Sequence, residues 1–392
     1  MKRYDVAILL TEVSDISGGG GVERFFTDFF SDYQEDNNKK LKLCFILDEV
    51  TFIELKRVNR LNEHVKDVLI LPNYFNRFKD KLIFLHLLYI IIAHRIKILH
   101  IANYNVHYFK IFTYLSKFKY LLNFRILNTV VDCAVPYVLN NASDGNYQSY
   151  RERYVVHPNK LKFDGVLTWY ELFVEYFKKN ELYSPDIYIQ NVTCRYVRNF
   201  MFKPVFPKQK IIVFASRMSS IKNPDWFVKA VCFLLSKNDE KINSWKFMLI
   251  GKGEIEKQIE NLIIELNITH KINRTEESDL SKIFPYTSCF VSTQSYENFP
   301  SLSMMEAMAC GNAIITRNVG QTHLLVKDNY NGFYLEEDSP EGLANAMLKF
   351  INLTDPQREK LQKNSIEVIR NNHTYNNFKL QIESFWSNFL RN

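Results

Sequence analysis

Apolar runs of strand length recur along the chain, each followed by a turn and then by apolar residues at helical spacing. VAILL from Val6, LKLCFIL from Leu41, VLILP from Val68, IKILHIA from Ile96, FRILNTVV from Phe124 and FDGVLTW from Phe163 form one series. Helical stretches separate them, such as VERFFTDFFSDY after a run of glycines. The rhythm restarts with KIIVFA from Lys210, a helix near Pro224–Leu235, KFMLIG from Lys246 and the helix EIEKQIENLIIEL. CFVST from Cys289, a helix near Ser303–Ala309 and NAIITR from Asn312 complete it. Strands alternating with amphipathic helices predict an α/β architecture. Two successive series predict two Rossmann-like, doubly wound domains facing a central cleft that holds the active site.

The seam falls near NFMFKPVFPK, where Pro204 and Pro207 break regular structure ahead of the second series. The expected boundaries are a first domain over 1–203, a second over 204–374 and a C-terminal helix over 375–392. That helix places Phe378, Ile382, Phe385 and Phe389 on one face, so it packs back toward the first domain.

A length of 392 residues suits two domains, and 31 Phe with 22 Tyr imply cores or contact surfaces rich in flat side chains. The six cysteines are scattered without a C-x-x-C pair, which argues for reduced thiols and against a disulfide scaffold or a zinc site. MKRYDVAILL runs into polar TEVSDISGGGG and reads as a first strand, not a secretion signal, so a cytoplasmic location is expected. The longest apolar run, Leu82–Ala93, is 12 residues long, short of the roughly 20 that span a bilayer. It reads as a buried helix, with an interfacial patch as the alternative. Around it, Arg77 to Arg125 holds nine Lys/Arg against the single acid Asp80, with Phe and Tyr interleaved. That mixture suits an anionic membrane surface or a lipid-phosphate acceptor, or else a solvated face over packed aromatics. No nucleic-acid-binding motif accompanies it.

Three segments carry candidate chemistry. In YENFPSLSMMEAMACGNAIITRNVG, Glu297 follows a strand and Pro300 precedes a helix. Glu306 lies near the N-terminus of that helix, where free N–H groups suit a phosphate and a carboxylate can accept from a ribose diol. Ser303 with Glu306 also matches a capping box that needs no ligand. In FASRMSSIKNPDWF, Arg217 and Lys222 flank a polar turn at a strand end, as a fork and a point charge that suit a diphosphate; two solvated cations are the plain alternative. No D-x-D is present to hold a metal. Third, Gly18–Gly21 leave the first strand, letting backbone approach a ligand, although Glu23 stands where a dinucleotide fingerprint needs glycine. Gly251 begins a further turn, GKGE.

In this combination the chain resembles the large family of retaining GT-B glycosyltransferases numbered family 4 among carbohydrate-active enzymes. ASRMSSIKN, FMLIGKGE, YENFPSLSMMEAMACGNAII and NYNGFYLE carry the resemblance over roughly Lys210–Phe350, while GGGGVER and ILHIAN carry it weakly before. The resemblance implies a GT-B fold and a nucleotide diphosphate sugar as donor, bound mainly by the second domain. It implies transfer with retention, without metal or other cofactor, to a glycan or lipid-linked acceptor. Bacterial capsule, lipopolysaccharide or exopolysaccharide synthesis is the implied setting, at most peripheral to the inner face of the plasma membrane. Arg217 and Lys222 would hold the diphosphate, Glu306 the ribose, and Glu297 the transferred sugar together with Asn298, Phe299, Ser301, Leu302 and Ser303. Gly20 and Gly21 would close over the phosphates, with Gly251 alongside. Eight residues separate Glu297 from Glu306 where the family has seven, and Val131 stands where the family often has histidine, leaving Asp132 as the substitute. An epimerase or hydrolase of the same fold, or a non-catalytic nucleotide-sugar-binding subunit, are the alternatives.

Overall fold

Seven parallel strands make the first sheet: β1 (Val6–Leu10), β2 (Leu43–Asp48), β3 (Val68–Leu71), β4 (Ile98–Ile101), β5 (Arg125–Val130), β6 (Gly165–Thr168) and β7 (Tyr188–Asn191). Their order is β3-β2-β1-β4-β5-β6-β7, with Val6 registered against Leu43 on one side and Ile98 on the other. Six parallel strands make the second: β8 (Ile211–Ala215), β9 (Lys246–Ile250), β10 (Ile272–Thr275), β11 (Cys289–Ser292), β12 (Ala313–Thr316) and β13 (Gly332–Tyr334), in the order β10-β9-β8-β11-β12-β13. The computed structural model describes residues 2–11, 21–57, 61, 65–73, 78–198, 201–277 and 279–390.

In each sheet the first strand is central and the order reverses beside it, between β1 and β4 and between β8 and β11. This is the doubly wound pattern, and ligands of such sheets bind outside the carboxyl ends of the strands where the order reverses. Central strands are buried on both faces and therefore read as unbroken apolar runs. β7 and β10, each at a sheet edge, escape the apolar pattern, and β13, only three residues long, is too short to show it. Tyr188–Asn191 (YIQN) and Ile272–Thr275 (INRT) end in polar residues and are only partly covered.

The chain divides into two compact units, residues 1–192 with 379–392, and residues 193–378. The division lies upstream of the two prolines. Tyr196 packs against Tyr375 and Phe378 at ring separations of 5.5 and 6.0 Å, and Arg195 donates to the Pro300 carbonyl at 2.9 Å. Those contacts bind the segment after β7 into the second unit. The helix Tyr375–Leu390 contributes its residues from Lys379 onward to the first unit.

In the first unit the helix Gly21–Glu35 buries Phe26, Phe29, Phe30 and Tyr33 completely. Tyr33 donates to Glu383 at 2.7 Å, and Lys379 pairs with Asp36 at 2.6 Å. Trp386 donates its indole N–H to Nδ1 of buried His100 at 2.9 Å. An indole nitrogen only donates, so His100 carries its proton on Nε2, which lies 2.7 Å from the Thr129 hydroxyl. Burial pulls the His100 pKa down to about 3. All six cysteines are free thiols.

Two outcomes follow for this core. The Trp386→Phe change strips a donor from a fully buried ring nitrogen and is expected to cost about 1–3 kcal/mol in urea unfolding. His100 stays neutral when folded but protonates below 6.5 when unfolded. The unfolded chain then binds the extra proton, so stability is full above that value and is lost as pH falls toward 3. Melts at pH 8 and pH 5 check the sign.

Candidate functional site

In the second unit, the loops leaving β8 and β11 meet where the strand order reverses. Asn223 takes up the left-handed conformation (φ 46°) and its side-chain amide donates to the Thr293 carbonyl at 2.8 Å and the Ser295 hydroxyl at 3.0 Å. In return the Thr293 hydroxyl donates to the carbonyls of Lys222 and Asn223 at 2.6 and 3.0 Å. The Ser295 amide donates to the Ile221 carbonyl at 3.0 Å. These bonds staple the turn Ser220–Lys222 to the strand end after Ser292, immediately ahead of the helix Pro224–Leu235.

Lys222 donates to the side-chain carbonyl of Gln294, whose amide in turn lies 3.3 Å from Oδ1 of Asn298. Asn298 is fully buried, and its side chain is taken up by protein partners. Oδ1 also accepts from Ser292 at 2.7 Å, while Nδ2 donates to the Thr316 hydroxyl, the Arg317 carbonyl and the Thr322 hydroxyl at 2.9, 3.1 and 3.0 Å. The Asn298 side chain therefore locks the loops after β11 and β12 together. Arg317 braces the same region, pairing with Asp338 at 2.7 Å and lying 5.1 Å from the Trp226 ring.

Glu297 is buried against Gly320, where a Cβ would lie 2.2 Å from Oε2. Its carboxylate accepts backbone N–H groups from Phe299 at 2.9 Å and from Gln321 at 2.8 and 3.0 Å. Burial raises its pKa to about 7, against the lowering effect of those donors. Phe299 is buried with its ring 5.9 Å from that of His373.

Arg217 leaves the same β8 loop as Lys222 but is exposed, its Nε 3.3 Å from Glu254. Gly251 (φ 132°) packs where a Cβ would strike the Ser216 carbonyl at 1.9 Å, so it lets the loops after β8 and β9 touch. The Ser216 amide donates to the Ile250 carbonyl at 3.1 Å and the Met218 amide to that of Lys252 at 2.7 Å.

The helix near 303 starts earlier than the capping-box alternative requires. It spans Leu302–Ala309 with Ser301 at its N-cap and no side-chain cap, and Ser303 stands inside it. The S-x-x-E match is a coincidence of spacing, because the N-cap is Ser301, two residues ahead of Ser303. Without a side-chain cap, the first-turn N–H groups are open to an anion. Glu306 follows in the second turn and is buried.

Of the residues expected in the first unit, Gly20 lies outside the described residues, and Gly21 opens the helix Gly21–Glu35. Asp132 accepts the Ala134 amide at 2.9 Å and the Tyr154 hydroxyl at 3.3 Å, which holds the turn after β5. A hollow of about 900 Å³ in this unit is bordered by the first turns of the helices that follow β3 and β4. Lys79, Lys110 and Arg153 line it with Asp80, Glu152 and His157. Arg153 is braced by the Tyr104 carbonyl at 2.8 Å and Asn103 at 3.3 Å, and its Nε is buried without a partner. His157 stacks on Phe109 with ring centroids 4.1 Å apart, and burial lowers its pKa. Sequence reasoning missed this hollow, as it missed Gln294, Gly320 and Gln321. The basic and aromatic interleaving before Arg125 was its one visible sign.

Residues 197–368 match the family model described as glycosyl transferases group 1. An uncharacterized glycosyltransferase of Methanocaldococcus jannaschii is 30% identical over 125 residues, 31% of this chain and 35% of that protein. The UDP-Gal:alpha-D-GlcNAc-diphosphoundecaprenol alpha-1,3-galactosyltransferase of Escherichia coli is 24% identical over 141 residues, 36% of each chain. Each match thus spans about a third of the relative's length. The structure of Anabaena HepE in complex with UDP-glucose superposes with a TM-score of 0.72 at 14% identity, over 98% of this chain and 100% of that one. This likeness establishes the GT-B fold. Among the described residues no group of three acidic, histidine or cysteine side chains is placed to hold a metal ion.

The buried carboxyl gives a pH signature. Glu297 is raised from 4.5 to about 7 in the fold, so the folded chain keeps a proton that the unfolded chain has lost. Its contribution is fully present below 4.5 and is lost as pH rises through 7, with a slope of up to about 1.4 kcal/mol per pH unit. Unfolding titrations of the Glu297→Gln variant should lack this slope, whereas Gly320→Ala should destabilise the chain at every pH through the clash.

Proposed function

We propose that the protein moves a sugar from a nucleotide diphosphate to an acceptor, from the match of residues 197–368 to the glycosyl transferases group 1 model and the GT-B fold of the chain. One observation carries the reading: two cations leave β8 at the reversal of strand order, on a loop stapled to the β11 loop that leads into an uncapped helix N-terminus. Such a place offers point charge, guanidinium fork and backbone N–H groups to one pyrophosphate.

In this reading Lys222, already directed by Gln294, and Arg217, released from exposed Glu254, neutralise the leaving diphosphate. Ser301, Leu302 and Ser303 contribute backbone at the helix start. Glu306 takes the ribose hydroxyls, and Glu297, with Asn298 and Phe299 shaping its loop, takes the transferred sugar. Gly251 keeps the β8 and β9 loops close, Gly20 and Gly21 approach the phosphates, and Asp132 orients the acceptor side. The rate gain is chiefly electrostatic: fixed donors stabilise charge growing on the phosphate oxygen while the sugar becomes oxocarbenium-like. Departure on the face of attack retains the anomeric configuration, and Arg217 with Lys222 does the neutralising that a metal does elsewhere.

The hollow beside Arg153 suits the acceptor, because unpaired guanidinium nitrogen and two lysines meet two carboxylates able to accept from sugar hydroxyls. An acceptor that bears phosphate fits this set. The E. coli relative is named for a diphosphoundecaprenol acceptor, which supports a lipid-linked acceptor and, in this reading, a setting in bacterial surface polysaccharide synthesis.

Transfer assays with UDP-, GDP- and ADP-sugars test the donor half. Lys222→Ala and Arg217→Ala are each expected to lower kcat by about 10²–10³ with unchanged melting, as for loss of one transition-state donor. Near-normal transfer by both variants would remove the diphosphate assignment. Product anomericity by NMR, and activity in EDTA, decide retention and metal dependence.

A further inference from the structure

The helix Lys79–Ala93 is apolar on every side, yet only one side is covered. Ile83, Leu87, Ile90 and Ile91 face the core of the first unit, while Leu85, Tyr89 and Ile92 are 56, 56 and 52% exposed. A helix apolar all round belongs in a core or a membrane, and the sequence expectation of a buried helix therefore holds for its inner face alone. The outer residues recur at four and three positions, so they form one stripe. The helix Phe109–Phe118 runs alongside. The Phe84 ring lies 5.4 Å from Tyr114 and 5.8 Å from Phe118, and both partners are more than a third exposed. Leu121, just beyond, is 79% exposed.

Charge on this face has one sign. Between Lys81 and Val131 the chain has no Asp or Glu. Three of the basic residues there are used internally: Lys119 and Arg125 pair with Asp164, and Lys97 with Asp5. Lys81, Lys110 and Lys117 remain exposed on the two helices, without a carboxylate partner among the described residues. Asp80, at the helix start, and Glu152, which lines the hollow with Lys110, are the acids at its edge.

We propose that this face docks the protein on an anionic lipid bilayer, with the two helices lying in the interface. Aromatic and aliphatic side chains enter the headgroup–acyl boundary while the lysines meet lipid phosphates. No helix of the described residues is long and apolar enough to cross a membrane, so the contact is with one leaflet. A second copy of the chain is a poorer occupant: a two-fold contact sets the lysine rim against itself, with no acid in the stripe to pair it. The inference goes beyond the transfer reaction and does not depend on which sugar is moved.

Flotation of the full chain with vesicles tests it, in the absence of any nucleotide sugar, so that failure leaves the transfer reading untouched. Binding is expected to phosphatidylglycerol–phosphatidylcholine vesicles and not to phosphatidylcholine alone, and to weaken with salt. The triple change Leu85→Ser, Tyr89→Ser, Ile92→Ser should reduce partitioning at least tenfold with melting unchanged, since the inward residues stay. Lys81→Ala with Lys117→Ala should reduce it by a similar factor, at about fivefold for each lysine removed. Equal flotation of the wild-type chain and the triple variant, or equal binding to both lipids, would overturn the proposal. So would a wild-type dimer in sedimentation velocity, dispersed by the triple change, without vesicle binding.

Discussion

A buried amide must find a partner for each proton and lone pair it carries, and at Asn298 that requirement ties down two loops at once. The side chain is out of reach of solvent, so leaving any of its contacts unmade would incur the desolvation cost of a polar group in a low-dielectric interior. It is satisfied by hydroxyls and a carbonyl from β11, β12 and the turn after β12, and by Gln294, which also receives Lys222. The position of the cation is thereby linked to the loop that carries Glu297. The second staple, between Thr293 and Asn223, fixes the backbone of the same turn. A preorganised cation costs little reorganisation when it meets a charge, which is the condition electrostatic catalysis requires.

Glu297 illustrates how little space this arrangement leaves. Its carboxylate lies on the backbone of Gly320 and takes N–H groups from both sides. Only glycine permits that approach, both for its positive φ of 54° and for the missing Cβ. Gly251 plays the same part between the β8 and β9 loops. In both places the glycine serves loop-to-loop contact.

In the first unit the balance of forces differs. Its aromatic content is spent partly inside, on the Phe-rich helix Gly21–Glu35 and the Trp386–His100 pair, and partly outside, on the helices after β3 and β4. The hollow and the exposed stripe share those two helices: first turns border the hollow, later turns carry the stripe. An acceptor that is both anionic and lipid-borne would find its two chemical needs on neighbouring turns.

Much of this was legible along the chain. Periodicity alone specified the central strands, because a strand buried on both faces has no option but an unbroken apolar run; VAILL from Val6 became β1 residue for residue. It likewise located the helix after Pro224. Edge strands β7 and β10 were not legible, since a partly solvated strand needs no apolar signature, and β13 is too short at three residues to show one. Nor was the true start of the helix at Leu302, where a spacing match to a capping box competed with a proline turn. Local pattern reports which side chains prefer water, and hence which segments become strands and helices. Which loops meet, which carboxyl loses its charge, and which face of an all-apolar helix stays uncovered depend on neighbours distant in sequence, and tertiary packing alone decided them.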